Sequence, residues 1–257
     1  MVVKSRLLDF QSLLHGFGTR QGGNSKPPFM SLNCCYNQGD DHHIVSQNRI
    51  HLAQAIADMS RPIATLTQVH GNKVITLTTP VPPALDLVGD GLVTDQRGIL
   101  IGVTTADCVP VLLADPVAGV VGACHAGWRG AAQGITTTTV TAMEALGAQP
   151  QRIVAALGPS IQAESYEVDD RFTTEACAHD PNIRHYLSPK LSTNRYCFDL
   201  PAYVIYRLRA LGIATIDVIP LNTYTLNHQF YSYRFSSHQN PGAPVRTGRQ
   251  LSLIGLA

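Results

Sequence analysis

The chain has 257 residues, of which 44% are hydrophobic and 14% are charged, and its formal net charge is +1. This length and composition are typical of a globular protein that buries a substantial core. Since Lys and Arg are scattered and nearly balanced by acidic residues, the charge gives no electrostatic basis for binding nucleic acid or an anionic membrane.

The amino-terminal segment and the cysteines predict a cytoplasmic protein. Asp9 and Gln11 interrupt the apolar stretch that a signal peptide would need. No apolar stretch approaches the roughly 20 residues that span a bilayer. The six cysteines are too few for a disulfide scaffold and form no C-x-x-C pair. Each is therefore expected to be either a small buried hydrophobe or a reactive thiolate.

The amino-terminal third contains two predicted loops and one predicted helix. Paired glycines and paired prolines mark residues 19–33 as a loop. The Pro-rich residues 79–91 are predicted to be a loop within one domain, because the segments on both sides are strand-like. A helix is predicted over residues 41–59, where apolar residues recur at roughly helical spacing. These residues are Ile44, Ile50, Leu52, Ile56 and Met59.

Four apolar, β-branched segments further along the chain predict strands. They are residues 61–71, 98–116, 119–130 and 152–161, the second of which is interrupted at residues 106–108. Helices are predicted over residues 131–147 and 200–212. Strands and helices alternate without the regular βαβ order of a Rossmann fold or barrel. We therefore predict a mixed α/β fold, α+β in character, with one domain over residues 1–257.

Three potential metal ligands lie where these segments break: His70, Cys108 and His125. They are far apart along the chain, so only the fold could bring them together. Two imidazoles and a thiolate are good zinc ligands, and catalytic zinc sites use three protein ligands and leave a fourth position open. The spacing matches no local metal motif, so simpler roles stay open. Cys108 could pack as a small hydrophobe, His70 could cap a turn, and His125 could donate to a backbone carbonyl.

The segment GACHAGWRG, residues 122–130, places Cys124 directly beside His125. Successive side chains of a strand point to opposite faces, so these two residues are not expected to share a site. If His125 faces the site, Cys124 faces the core. The same alternation separates Asp107 from Cys108, unless the chain has already turned there.

The end of that segment is predicted to reverse direction and enter a helix. Gly127 and Gly130 are interpreted as the residues that allow the sharp reversal. Arg129 would be carried to the start of the helix. Trp128 is either a packing anchor or a wall on which a purine stacks, and packing is the favoured interpretation.

A series of short motifs occurs in order along the chain: TRQGG, PFMSLN, GDD, NR, TQVHG, ADCVPVLL, HAGWRG, GPSI, YEV, YSYR and TGR. They extend from Thr19 to Arg249, and the combination of QVHG with HAGWRG is highly specific. The chain resembles the bacterial YfiH family, also called the multicopper polyphenol oxidase or laccase-domain family, which is related to the human laccase-domain-containing protein.

The resemblance implies a single domain of mixed β-sheets flanked by helices, similar to the cysteine-hydrolase-like toxin domain of cytotoxic necrotising factor. It implies that His70, Cys108 and His125 bind zinc, with copper as the less favoured metal. It also implies phosphorolysis of adenosine, inosine, guanosine and methylthioadenosine, and hydrolytic deamination of adenosine. Polyphenol oxidation fits poorly, since a multicopper oxidase needs many paired histidines and a separate cysteine-based electron-transfer site.

These reactions suggest roles for further residues. In deamination, zinc-activated water would attack C6 of adenine, and Asp107 would protonate the departing ammonia. In phosphorolysis, guanidinium groups would hold phosphate against C1′ of the ribose. Each motif arginine has a surface ion pair or a loop-stabilising bond as its alternative role. The candidate substrate-binding residues are Asn33, Arg49, Arg129, Tyr233 and Arg234, with Arg20 as a further motif arginine.

The chain departs from the family pattern at three places. The usual SLNLG reads SLNCC, which adds Cys34 and Cys35 near the predicted entrance. Where the family commonly has a Cys-Thr pair before the last motif, this chain has Asn-Thr at residues 222–223. The SYRR motif reads SYRF, so Phe235 replaces an arginine. If that arginine helps to bind phosphate, its loss weakens the case for phosphorolysis but not for the zinc site.

Two other functions stay open at this point. Cys108 could be the nucleophile of a cysteine hydrolase, activated by His125 and oriented by His70 or Asp107. Editing of peptidoglycan precursors, to which some family members are linked, would suit that chemistry. The cysteines could instead serve a redox-sensing or binding module. A monomer or a weak homo-oligomer is expected.

Overall fold

The described part of the chain forms three β-sheets with helices packed against them. The computed structural model describes residues 2–57, 61–80, 87–190 and 195–257. In these ranges the strands are β1 (Val2–Val3), β2 (Leu13–Gly18), β3 (Ile63–Ala64), β4 (Val74–Leu77), β5 (Gly91–Thr94), β6 (Leu100–Thr105), β7 (Val109–Asp115), β8 (Val120–Ala126), β9 (Val154–Leu157), β10 (Glu167–Asp169), β11 (Leu187–Lys190), β12 (Arg195–Phe198), β13 (Thr215–Val218) and β14 (Gln250–Leu256). The α-helices of the same ranges are α1 (His42–Ala57), α2 (Trp128–Gln133), α3 (Ile135–Ala145), α4 (Asp170–His179), α5 (Leu200–Ala210) and α6 (Tyr233–Gln239).

The two larger sheets mix parallel and antiparallel pairs. One has five strands in the order β1-β2-β14-β6-β3, and the other has six in the order β13-β9-β7-β8-β5-β4. In the first, β14 runs antiparallel to β2 and β6, whereas β3 is parallel to β6. In the second, β7 is antiparallel to β8 and β9, whereas β13 is parallel to β9. A small antiparallel sheet, β10-β12-β11, completes the fold. The predicted mixed α/β class is confirmed.

The two larger sheets pack face to face, and helices cover their outer faces. Along β7, Leu112 lies in the core between the sheets, while Val111 belongs to the cluster that includes residues of α2, α3 and α5. Along β14, Ile254 faces the core between the sheets, while Leu253 packs with residues of α1. Both faces of each sheet are therefore buried, which explains why the strands read as nearly continuous apolar runs.

The first predicted helix is present as α1, but its buried face differs from the predicted stripe. The helix begins after Asp41, whose side chain accepts N–H groups at the first turn. Ile50 is 47% exposed, whereas the polar Asn48 and Arg49 are buried. These two polar side chains can lie on the buried face of the helix because they donate hydrogen bonds to backbone carbonyls of the loop before it. Met59 lies outside the described residues.

Two other predicted elements are broken or shortened. The helix predicted over residues 131–147 is interrupted at Gly134, whose φ of 91° is left-handed, so α2 and α3 are separate. In the segment 61–71, only Ile63–Ala64 is a strand, and the remainder is a loop that leads to His70. Of the predicted loop over residues 79–91, residues 81–86 lie outside the described part. None of the helices in the described ranges is long and apolar enough to cross a membrane.

Candidate metal centre and active-site cavity

Three elements bring His70, Cys108 and His125 together at one end of the sheet sandwich. His70 lies in the loop between β3 and β4, Cys108 in the turn that links β6 to β7, and His125 near the end of β8. Their potential ligand atoms all lie within 4.8 Å of one another. The two imidazole rings meet edge to face, with centroids 4.7 Å apart. The structure thus contains a His/Cys/His cluster that could hold a metal ion.

Strand alternation decides which cysteine joins the cluster. On β8, Val121 and Ala123 face the core between the sheets, and His125 follows them on that face. Cys124 points the other way, into the core beneath the helices, where burial raises the pKa of its thiol to about 12. Cys124 is therefore a core residue, as strand geometry predicted.

Two of the residues at this site adopt a left-handed backbone. His70 has a φ of 60° and Asp107 a φ of 89°, and no other non-glycine residue of the described chain is recorded with a positive φ. Such a conformation typically costs about 1–2 kcal/mol for a residue with a Cβ atom. The turn at Asp107 also ends the strand alternation, so that Asp107 and Cys108 both line the same cavity.

Asp90, which the sequence reasoning missed, orients both histidines. Its carboxylate is fully buried and lies 2.8 Å from Nδ1 of His125. It also accepts the backbone N–H groups of Val69, His70 and Gly71 at 3.2, 3.0 and 2.8 Å. With Nδ1 of His125 donating to Asp90, Nε2 is left for the cluster. An acidic residue between two glycines before a buried strand was the available signal.

The cluster favours a thiolate. Burial by itself would raise the pKa of the Cys108 thiol, but the adjacent His125 and His70 outweigh it and lower that pKa to about 6. Burial would lower the pKa of His125, but Cys108 and Asp90 outweigh it and raise that pKa to about 9. A thiolate is the form of cysteine that binds metals and acts as a nucleophile.

Gly127 leaves the room that the cluster occupies. A Cβ atom at this position would lie 3.0 Å from Cδ2 of His70 and 3.1 Å from Sγ of Cys108. Its φ of −73° is open to any residue, so the predicted role in a sharp reversal is wrong for Gly127. Gly130 is likewise required by close packing, because a Cβ there would lie 2.6 Å from the carbonyl oxygen of Gly71.

The cluster forms part of the wall of a cavity of about 560 Å³. This volume is within the range of small-molecule sites in proteins. The wall is made by Cys35, Asn37, Gln38, Leu66, Gln68, His70, residues 104–108, His125, Trp128, Arg129, Ile161, Tyr166, Leu200, Tyr233, Arg234 and Arg249. Of the predicted substrate-binding residues, Arg129, Tyr233 and Arg234 are therefore on the wall.

Asn33 and Arg49 are not on that wall and instead support the loop between β2 and α1. The fully buried Asn33 donates to Asp40, and its Oδ1 accepts the backbone N–H of Arg249 at 2.9 Å. Arg49 donates to the carbonyl of Cys34 and to the hydroxyl of Thr65, beside a smaller cavity of about 110 Å³.

The other motif arginine, Arg20, donates to the carbonyls of Met30 and Asn227 and does not line the larger cavity. It therefore has the loop-stabilising role that was its alternative. Trp128 both packs and lines the cavity: its ring lies 4.9 Å from that of Phe172, and the guanidinium of Arg129 stacks over it at 4.5 Å.

Asp107 is held by the polypeptide that follows Asn222. Its Oδ1 accepts the hydroxyl of Thr223 at 2.7 Å, and its Oδ2 accepts the backbone N–H of Arg234 at 2.7 Å. Burial outweighs these bonds and raises the pKa of the Asp107 carboxyl. The Thr of the altered Asn-Thr pair thus supports a wall residue of the cavity.

The other departures from the family pattern differ in position. Cys34 is buried and Cys35 lines the cavity. Phe235 packs against Tyr224, with ring centroids 5.8 Å apart, and is not a wall residue. Sequence reasoning also missed the wall residues Arg249 and Tyr166, although both lie in quoted motifs, TGR and YEV.

Comparison with known proteins places the chain among related sequences over nearly its whole length. A model of the multi-copper polyphenol oxidoreductase laccase family matches residues 14–257. A purine nucleoside phosphorylase of Deinococcus radiodurans is 38% identical over 242 residues, which are 94% of this chain and 88% of that protein. One of Mycobacterium bovis is 40% identical over 236 residues, 92% of this chain and 89% of that protein.

Solved structures share the fold. A Neisseria meningitidis protein of 29% identity superposes with a TM-score of 0.84, covering 100% of this chain and 98% of its own. YlmD from Geobacillus stearothermophilus, 31% identical, superposes with a TM-score of 0.83, covering 98% of this chain and 94% of its own.

Proposed function

The chain belongs to the multi-copper polyphenol oxidoreductase laccase family, and we propose that it is a zinc-dependent purine nucleoside phosphorylase. One observation carries the proposal: the His70–Cys108–His125 cluster and several guanidinium groups line the same cavity of about 560 Å³. Relatives of 38% and 40% identity that are named purine nucleoside phosphorylases support it.

The cluster is the proposed zinc site. A thiolate and two imidazoles are a donor set that zinc prefers, and three protein ligands leave a fourth position for water or substrate. Asp90 orients His125, and Gly127 keeps the space beside the ligands clear. Bound zinc would supply a Lewis acid and activate water near neutral pH. Copper accepts similar donors and is the less favoured alternative, which metal analysis would distinguish.

In phosphorolysis, a phosphate oxygen forms a bond to C1′ of the ribose while the C1′–N9 bond breaks. The electron pair of that bond passes to the purine, which takes up a proton and leaves as the free base beside ribose 1-phosphate. The site must therefore hold an anion next to a flat, apolar ring. Guanidinium groups serve the anion, and the rings of Tyr166 and Tyr233 on the wall offer surfaces for stacking.

The proposed substrates are adenosine, inosine, guanosine and methylthioadenosine, with hydrolytic deamination of adenosine as a second reaction. In deamination, water adds to C6 of adenine and ammonia leaves, so a proton must reach the departing nitrogen. Asp107 is the proposed donor, because it is on the wall and burial raises the pKa of its carboxyl.

The purified protein should release hypoxanthine and ribose 1-phosphate from inosine only when phosphate is present. It should contain nearly one zinc ion per chain, lose activity on chelation and regain it with zinc. Full activity without metal would contradict the zinc assignment, and the absence of phosphate-dependent base release would contradict the phosphorylase. Deamination of adenosine should continue without phosphate.

A cysteine hydrolase is the second candidate. Asp90 binds His125, and His125 lies beside Cys108, an arrangement that can activate a thiolate nucleophile. Asp90 takes the orienting position for which His70 or Asp107 was predicted. Such an enzyme, including one that edits peptidoglycan precursors, would hydrolyse an amide substrate in metal-free form and be inhibited by alkylation of Cys108. Loss of that hydrolysis on chelation would oppose it.

Polyphenol oxidation is supported less well. In the ranges that the structure describes, His70, Cys108 and His125 are the one group of three or more clustered ligands, whereas a multicopper oxidase uses several copper centres. Oxygen uptake with a polyphenol after copper loading tests this activity.

A further inference from the structure

The arginines on the cavity wall differ in which of their N–H groups are already used. A guanidinium binds an oxyanion best through two parallel N–H groups, and the Nε–Nη2 edge is one such pair. Whether this edge is occupied therefore separates arginines that can take up a phosphate from those that are already engaged.

In Arg129, the edge is occupied. Its Nε and Nη2 both donate to Oε1 of Glu175, at 3.2 and 2.8 Å. The ion pair is exposed, since about half of the Arg129 side chain is open to solvent. Phosphate would have to displace a carboxylate before it could use this edge.

In Arg249, the opposite side of the guanidinium is anchored. Its Nη1 donates to the carbonyls of Thr247 and Gly248, at 3.1 and 3.0 Å. Among the described residues, no hydrogen bond engages its Nε or Nη2 and no carboxylate forms an ion pair with it. Asn33 holds its backbone N–H, and partial burial lowers the pKa of the guanidinium. Its Nε–Nη2 edge is therefore available to an oxyanion.

Arg234 has the same arrangement. Its Nη1 donates to the carbonyl of Glu167 at 2.6 Å, and its guanidinium lies over the ring of Tyr166 at 5.2 Å. Within the described ranges its Nε and Nη2 are likewise without a recorded hydrogen bond. The guanidinium of Arg249 lies 5.8 Å from a different ring, that of Tyr233, and both rings belong to the wall of the same cavity.

We propose that Arg234 and Arg249 form an oxyanion subsite for inorganic phosphate, and that Arg129 is not part of it. The identity of the oxyanion rests on the proposed function. Asp107, the carboxylate on the cavity wall, does not compete for either edge, because its oxygens accept from Thr223 and from the backbone of Arg234. The position of the subsite on the cavity that contains the His70–Cys108–His125 cluster would place phosphate beside a nucleoside.

Direct binding tests the subsite without any turnover. The zinc-loaded protein is equilibrated with radiolabelled inorganic phosphate and no nucleoside, and bound phosphate is measured by dialysis. Arg249→Met and Arg234→Met should each weaken binding by about tenfold or more, as expected for the loss of one charge-assisted bidentate contact. Arg249→Lys, which keeps the charge but not the two-pronged edge, should lose part of the affinity. Arg129→Met should change it by less than about threefold.

Thermal unfolding and zinc content identify a variant that has failed to fold, and Arg249→Lys then replaces Arg249→Met. Absence of phosphate binding by the wild-type protein, or an equal loss in Arg129→Met, would overturn the proposal. So would acetate binding as tight as that of phosphate, which would indicate a substrate carboxylate instead.

The phosphorylase activity and the oxyanion subsite can be refuted independently of each other. Phosphate binding that depends on Arg234 and Arg249 without any base release would refute the phosphorylase and leave the oxyanion subsite standing. Phosphorolysis whose KM for phosphate is unchanged in Arg249→Met would refute the subsite alone.

Discussion

A buried carboxylate lies beside each end of strand β8. The two carboxylates form similar hydrogen bonds but support different parts of the molecule. Asp90 precedes β5 and lies beside the His125 end, whereas Asp115 pairs with Val120 at the other end. Both carboxylates are fully buried. Each accepts three backbone N–H groups and one nitrogen-bearing side chain.

The partners differ although the bonding does not. Asp115 accepts the backbone N–H groups of Val117, Ala118 and Gln149 and the guanidinium of Arg152. These hydrogen bonds link the turn after β7 to the segment before β9, and they contact no residue of the cluster. The groups that Asp90 holds belong to the loop of His70 and to the ring of His125. The number of hydrogen bonds is the same for Asp90 and Asp115, so it does not distinguish their roles. The identity of the donors does: Asp90 binds both histidines of the His/Cys/His cluster, and Asp115 binds residues of the scaffold.

The largest effect is expected from the thiol at the cavity end. If the proposed function holds, Cys108→Ala should lower phosphorolysis by at least about three orders of magnitude and remove bound zinc, because it deletes one of the three proposed ligands. Cys124→Ala is the matched control, since it should cost at most about 1–2 kcal/mol of unfolding free energy through lost packing and leave zinc bound. Turnover and metal content of both variants decide this, and retained turnover in Cys108→Ala would refute the site.

Exchanging each carboxylate for its amide tests the comparison itself. Asp90→Asn should weaken zinc binding by about 10- to 100-fold, the usual result of losing a group that orients a metal-binding histidine. Asp115→Asn should leave zinc affinity unchanged and lower the free energy of unfolding by about 1–3 kcal/mol. Chelator competition and urea unfolding measure the two quantities. Equal zinc affinities in the two variants would show that the ends do not differ in function.

Glycines at the two ends offer a smaller contrast. Gly127→Ala should weaken zinc binding by about tenfold at modest cost in stability, since its Cβ would press on His70 and Cys108. Gly119→Ala has open space around it but a φ of 66°, so it should cost about 1 kcal/mol of stability through backbone strain. Its zinc affinity should equal that of the wild type. A Gly127→Ala protein with wild-type zinc affinity would contradict the packing argument.

The smallest effect concerns pH at the end opposite the cavity. Burial opposes ionisation of Asp115, but the N–H groups of Ala118 and Gln149 and the guanidinium of Arg152 outweigh it and lower the pKa of the carboxyl. A lowered folded-state pKa contributes stability above the unfolded value of about 3.9, and that contribution is lost as the pH falls through the folded value. The difference in unfolding free energy between wild type and Asp115→Asn should therefore be constant from pH 6 to 8 and shrink below about pH 4. A difference that grows on acidification would have the wrong sign.

Much of the fold could be predicted from local patterns. The strands β6, β7, β8 and β9 follow from apolar, β-branched runs, and α5 follows from its helical spacing. The details that failed depended on distant partners. Asn48 and Arg49 are buried on α1 because they donate hydrogen bonds to the loop before that helix. The N–H groups of residues 69–71 bind the side chain of Asp90 instead of a neighbouring strand.

Local sequence patterns were enough to identify the candidate metal ligands and to separate Cys124 from His125. Strand alternation has a period of two, so His125 and Cys124 had to face opposite sides wherever the strand was placed. The family resemblance, too, resides in local motifs, and the match over residues 14–257 confirms it.

Which of those residues meet, and which of their N–H groups remain available, depends on contacts between distant parts of the chain. The cluster gathers residues of three separate elements, and the role of Asp90 follows from the two histidines that it holds. The arginines are alike in the sequence, yet Glu175 occupies the edge of Arg129, and the corresponding edge of Arg249 lacks a recorded partner among the described residues. Local patterns cannot reveal these contacts, because a hydrogen bond joins groups within about 3 Å of each other in space, whatever their separation along the chain.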